Sequence, residues 1–215
     1  MRTRIDHFMY ATPSLEEGMT WAADTFGVQP TYAGEHIGLG TRNALLSLGS
    51  AYLEIIAPDP AQPLEGTLGE LFSALSRGGL LTWAAEGDLA LVQQVLLTYG
   101  IPSAGPKQTQ RRTPEGGLLE WALLFPLSVS QGARMPFFID WQRCVNPRQT
   151  SPQAGTFVAL SITSPDADDL GEVLSALDLE VAVVEGLPGL EVVITSSGRE
   201  ITLVSTEETS SISLT

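Results

Sequence analysis

Lysine, histidine and cysteine are all scarce in this sequence of 215 residues. Its eleven Lys and Arg residues are ten Arg and Lys107, its histidines are His7 and His36, and its one cysteine is Cys144. A lone cysteine excludes an internal disulfide framework and leads us to expect a reducing compartment, the cytoplasm. No apolar run approaches the roughly 18 to 20 residues that span a bilayer, so no membrane partner is expected. The opening MRTRIDHFMYATPS lacks the apolar stretch and small-residue cleavage site of a signal peptide. A net charge of −14 argues against nucleic acid, whose phosphates would be repelled.

What is present describes a globular chain. The apolar fraction is 43% and the charged fraction 17%, and the length allows one large domain or two to three small modules. The charge is uneven. Residues 150–215 hold one Arg and eleven Asp or Glu, whereas residues 1–149 hold ten cations and fourteen acids. Arg111, Arg112, Arg134, Arg143 and Arg148 fall within one segment. Arg suits bidentate contact with a carboxylate or phosphate, although pairing with the chain's own acids is the plain reading of such residues.

One order of elements comes round three times. RIDHFMYAT reads as a strand, and Ser14 N-caps a helix over SLEEGMTWAADTFG that Gly27 ends. Extended pieces follow at PTYAGEHIG, NALLSLG and AYLEIIA. From about residue 80 the order is LLTWAAEG, Asp88 as an N-cap, the helix LALVQQVLLTY, and strands in PKQTQRRT, GLLEWALLF and MPFFIDWQ, with a turn at PEGG. From about residue 156 it is TFVALSIT, the helix ADDLGEVLSALD, then EVAVVEG, LEVVITS and REITLVS. We therefore expect an α+β protein of three βαβββ modules: 1–57, 80–145 and an acidic, degenerate 156–206. Linkers occupy 58–79, with a short helix, and 146–155, and 207–215 reads as a flexible tail. A single module covers only one face of its sheet. Two modules joined edge to edge give a curved mixed sheet around a cup, a favoured place for a small-molecule site. The third module is expected to join that arrangement, to cover the cup or to make a homodimer contact.

Glu54 raises the functional question. It sits within AYLEIIA, and a carboxylate in such a strand needs a partner, because loss of hydration disfavours its charged form. His7, Arg42 or a metal ion would each serve. His7 lies in an apolar strand, where a core histidine bonded to a carbonyl is the plain reading and a cup-facing group the functional one. His36 precedes Gly38-Leu39-Gly40-Thr41-Arg42-Asn43. Its glycines fit a structural turn, and Thr41, Arg42 and Asn43 offer donors to an oxygen-rich ligand. Trp83, Trp121, Phe138, Arg112, Arg134 and Asp140 are further candidates for substrate contact, with core packing the plain reading of the aromatic ones. Cys144 has no histidine near it in sequence, and neither a dinucleotide fingerprint nor a nucleophile elbow is present.

The combination of Ile5-Asp6-His7, Thr12-Pro13-Ser14-Leu15 and Tyr52-Leu53-Glu54 resembles the vicinal oxygen chelate superfamily. His36 to Ala44, Tyr52 to Pro58, Gly116 to Trp121 and Pro136 to Trp141 look like the glyoxalase-like domain proteins of bacteria. The resemblance covers residues 4 to 150 and, more loosely, the third repeat. It implies a small-molecule enzyme acting on an oxygenated substrate by isomerisation, lyase or dioxygenase chemistry, or a metal-free protein that sequesters its ligand; Arg42 or Arg112 would hold the anionic end of such a substrate. In metal-dependent members each contributing module places one ligand on its first strand and one on its last. His7 and Glu54 take those places here, where they would hold Zn²⁺, Ni²⁺, Mn²⁺ or Fe²⁺ and polarise a substrate oxygen. The other modules depart from that pattern. Ala159 and Thr202 stand at the corresponding places of the third, and Leu81 or Trp83 at the first place of the second. Asp140 or His36 would have to complete the set, and a cup without metal stays open as the alternative.

Overall fold

The first helix shows how local sequence places a side chain. In the computed structural model, which describes residues 3–112, 117–128 and 131–212, α1 (Leu15–Phe26) starts at Ser14, whose hydroxyl accepts the Glu17 amide at 3.3 Å. It ends at Gly27, which adopts the left-handed conformation at φ 70°. Leu15, Gly18, Ala22 and Phe26 form its buried stripe. A Cβ on Gly18 would lie 2.7 Å from the Thr12 methyl and 2.8 Å from that of Ile55, so only glycine lets the helix approach the sheet this closely. The helix therefore seats directly on the strand that carries Glu54.

The first two modules build one sheet. Their strands are β1 (Arg4–Ala11), β2 (Thr31–His36), β3 (Thr41–Ser47), β4 (Tyr52–Pro58), β5 (Gly79–Glu86), β6 (Ser103–Arg112), β7 (Leu118–Pro126) and β8 (Phe137–Asp140). They form an eight-stranded sheet in the order β2-β3-β4-β1-β5-β8-β7-β6. Each half runs second, third, last, first from the outside inwards, and β1 and β5 meet antiparallel at the centre. Corresponding positions follow from the register: β1 and β4 pair in parallel with His7 opposite Tyr52, and β5 and β8 pair in parallel with Ala84 opposite Phe137. The sheet is curved, and its outer strands β2 and β6 approach each other across the mouth of the cup. Between the halves, α2 (Leu68–Ser73) lies against β4. A Cβ on Gly69 there would meet the Gly40 carbonyl at 2.0 Å.

The convex face carries the main core. Phe8, Leu53, Ile55, Trp83 and Phe138 project there and meet α1, α3 (Leu89–Thr98) and α4 (Ala167–Ala176). Asp88 caps α3 by accepting the amides of Ala90 and Leu91 at 2.9 and 3.2 Å. The third unit joins this same core through Leu160, Ile162, Val192, Ile194 and Leu203, and the Phe157 ring packs 5.0 Å from that of Phe8. It therefore covers the convex face and not the cup.

Its linear order repeats that of the other units, but its pairing does not. β9 (Thr156–Ser164), β10 (Ala182–Glu185), β11 (Gly189–Ser196) and β12 (Arg199–Val204) form a separate four-stranded sheet in the order β10-β9-β11-β12. The first strand lies inside this sheet, between a parallel and an antiparallel neighbour. After β12, in the segment expected to be a flexible tail, Thr206 opens α5 (Glu207–Ser210) with a reciprocal capping box to Thr209, which is buried. Among the described residues no helix is long and apolar enough to cross a membrane.

Candidate functional site

The alternation of side chains along each strand decides which residues see the cup. On β4, Tyr52, Glu54 and Ile56 face inwards, while Leu53, Ile55 and Ala57 enter the convex core. On β1, His7 shares the inner face with Met9 and Ala11. Its ring stacks on Tyr52, with centroids 4.6 Å apart and planes 19° from parallel, and Phe137 meets it edge-on at 5.4 Å. His7 is 3% exposed and Glu54 6%.

Glu54 ends up between two imidazoles. Its Oε2 lies 3.4 Å from His7 Nε2, and its Oε1 lies 3.8 Å from His36 Nε2. From β3, Asn43 Nδ2 donates to Oε1 at 2.5 Å and lies 3.4 Å from His36 Nε2. His36 Nδ1 is 3.0 Å from Thr41 Oγ1. The hairpin that presents His36, Thr41 and Asn43 closes over Gly38 and Gly40, both at positive φ.

Behind His7 stands Asp6, which no motif in the sequence singled out as a site residue. The β1–β5 register shifts between Ile5 and His7, and this bulge turns Asp6 to the same side as its neighbour. Asp6 Oδ2 accepts from His7 Nδ1 at 2.8 Å. Oδ1 accepts from Asn146 Nδ2 at 2.5 Å and Trp141 Nε1 at 3.2 Å, and Arg148 Nη1 lies 3.9 Å away. Burial opposes ionisation of this fully enclosed carboxyl. The hydrogen bond and charge of His7, with the bonds from Asn146 and Trp141, outweigh it and hold Asp6 below its ordinary value. Two polar residues side by side in an apolar strand were the available signal for the bulge.

The opposite wall of the cup is apolar. Trp121, Ile139 and Trp141 pack with Leu45 and Tyr52, and Phe125 stacks on Phe137. Thus His7, Glu54, His36, Thr41 and Asn43 are brought together on the inner side of the sheet, with Trp121 on its apolar wall.

The other candidates are placed elsewhere, most of them by strand parity. Trp83 sits opposite Phe8 on the convex side, fully buried, and donates to the Arg134 carbonyl at 2.8 Å. Phe138 is buried on that side too. Asp140 pairs with Ala122, a convex-face position, and accepts the Gln142 amide at 2.8 Å, so it does not approach Glu54. Arg134 is buried by the third unit and donates from Nε to Ser164 Oγ at 3.2 Å. Arg42 alternates out of the cup and grips Glu16 with 2.8 and 2.9 Å bonds. The Arg112 side chain lies outside the described residues, as do positions 114–116 of the predicted PEGG turn.

The donors present do not match a resident metal. Among the described residues no group of three or more His, Cys, Asp or Glu side chains is arranged to hold one. In the space between Glu54 and His36 the Asn43 amide already points its N–H groups at the lone pairs a cation would need.

Residues 5–177 match the model of the family described as glyoxalase-like domain. No curated protein matches the chain. Among solved structures, a hypothetical protein from Staphylococcus aureus is similar with a TM-score of 0.65 and 18% identity, over 94% of this chain and 84% of that one. Methylmalonyl-CoA epimerase from Mycobacterium tuberculosis is similar over 63% of this chain and 86% of its own, with 20% identity and a TM-score of 0.49.

Proposed function

For a chain that belongs to the glyoxalase-like domain family of the vicinal oxygen chelate superfamily, we propose metal-independent proton transfer on a small oxygenated molecule held in the cup. One observation carries this reading: Glu54 faces His7 Nε2 at 3.4 Å while Asp6 holds the far side of the same imidazole at 2.8 Å. Two carboxylates flanking one imidazole form an acid–base couple that can take a proton from carbon and return it. Glu54 receives the proton of a C–H bond beside a carbonyl. The electron pair of that bond moves onto the carbonyl oxygen, and the Asn43 N–H that makes only the longer 3.4 Å approach to His36 turns to the oxyanion. Return of the proton from Glu54 to the neighbouring carbon of a 2-hydroxycarbonyl compound, with the hydroxyl proton passing to the former carbonyl oxygen, completes an isomerisation with no oxidant or added group.

The apolar wall supports this chemistry by excluding water, which strengthens the interactions made by the polar groups. Trp121 and Phe137 would contact the apolar part of the substrate. Two of the arginines expected to hold an anionic substrate, Arg42 and Arg134, are engaged outside the cup. Entry requires the rim side chains to move, since His7, Glu54 and Asn43 are all buried.

Incubation with a panel of 2-oxo and 2-hydroxycarbonyl compounds in D₂O, followed by proton NMR, tests the reading. Deuterium is expected to enter beside the carbonyl of at least one compound, and Glu54→Gln is expected to slow this by about 100-fold or more. Equal exchange by Glu54→Gln would overturn it. Saturable binding without exchange would instead establish the second reading, a sequestering protein, which is favoured by the internal satisfaction of Glu54 through Asn43 and His7.

A further inference from the structure

Asp6 bonds to the ring nitrogen of His7 that faces away from Glu54, and the surroundings of Asp6 restrict what else it can do. Its Oδ1 is taken by Asn146 and Trp141, while Oδ2 points at His7 Nδ1 with only a longer 3.3 Å approach from Trp141. An ionised carboxylate has acceptors and no donor. The His7 nitrogen facing it must therefore carry a proton. Tyr52 stacking fixes the ring plane at the same time.

We infer that Asp6 is a positioning residue that fixes His7 with a proton on Nδ1 and aims Nε2 at Glu54, so that Nε2 and Oε2 exchange a single proton. This rests on the proton-transfer reading of the cup for its purpose, but the tautomer is a property of the resting protein. The bulge after Ile5 is the device that makes it possible. In an unbroken strand Asp6 and His7 would point to opposite faces.

The substitution Asp6→Asn separates positioning from simple filling of space. Asn146 and Trp141 are both donors, so the new amide is expected to turn its oxygen to them and its NH₂ towards His7. Nδ1 must then accept, and the proton moves to Nε2.

The test is ¹⁵N NMR of the full chain labelled at its two histidines, with His36→Gln used to assign the signals. Wild-type His7 is expected to be protonated at Nδ1. The Nδ1 proton is expected to be lost in both Asp6→Asn and Asp6→Ala, with folding checked by circular dichroism. A wild-type His7 without a proton on Nδ1 would overturn the inference, whatever the variants do. So would a folded Asp6→Asn protein that keeps the Nδ1 proton, which would make Asp6 a structural group only. Failure of Glu54→Gln to slow deuterium exchange would remove the catalytic reading and leave this tautomer result intact.

Discussion

The two halves of the eight-stranded sheet share a strand order and differ in what they show to the cup. Register equates His7 with Ala84, Tyr52 with Phe137, Glu54 with Ile139 and Leu45 with Leu123. Two residues along the same strands, Asn43 corresponds to Trp121. The first half thus offers imidazole, carboxylate and amide where the second offers methyl, butyl and indole groups. Buried polar groups are costly unless they are bonded to one another, and here they are gathered in one half with mutual partners. One unit therefore gathers bonded polar groups on the inner face, and the other sets an apolar wall beside them.

Moving the carboxylate across the pseudo-axis should break the arrangement most severely. In Ile139→Glu the new side chain meets Leu45, Tyr52, Trp121 and Trp141 without the Asn43 and His7 partners that serve Glu54. Urea unfolding is expected to show a loss of about 3 to 5 kcal/mol, the usual cost of an uncompensated buried charge. A loss below about 1 kcal/mol would mean that the two walls are electrostatically alike.

A smaller effect is expected from acid. The folded-state pKa of Asp6 is depressed below the ordinary 3.8. Its ionised form therefore contributes stability that is full above that value and is lost as pH falls through the folded value. The stability difference between wild type and Asp6→Asn should accordingly be constant near neutrality and shrink below pH 3.8. A difference that stays constant through that range would contradict the depressed pKa.

The smallest effect belongs to Arg42, which stands on the same strand as Asn43 but points away from the cup. Its partner Glu16 is 68% exposed, so Arg42→Ala should cost no more than about 1 kcal/mol. Deuterium exchange should be unchanged. A large loss of exchange would bring Arg42 back to the substrate.

Much of the fold was legible because its signals are local. Ser14 and Asp88 cap helices, Gly27 ends one, and the recurring order of elements marks the units. What escaped depends on pairing and parity. The third unit has the same linear order as the others, yet β9 pairs with β10 and β11 and not with the last strand, because hydrogen-bonded neighbours are not written in element order. His7 and Glu54 stood out in the sequence as polar groups in apolar strands, and His36, Thr41 and Asn43 as donors beside a glycine turn. Trp83 and Phe138 were drawn into the candidate site because composition does not say which face a residue takes. One step along the strand separates Phe138 from Phe137, which touches His7. Asp6 was missed because its direction depends on a bulge, and Asn146 because it reaches Asp6 across 140 positions of chain.

On the proposed reading Glu54 works as an acid–base group paired directly with His7 and not as a metal ligand. Crystals of the full chain grown with zinc and measured at the zinc absorption edge test it. The expected map has no anomalous peak beside Glu54 and keeps the direct His7–Glu54 contact. A peak bonded to His7 Nε2 and a Glu54 oxygen at about 2.0 to 2.2 Å would contradict it.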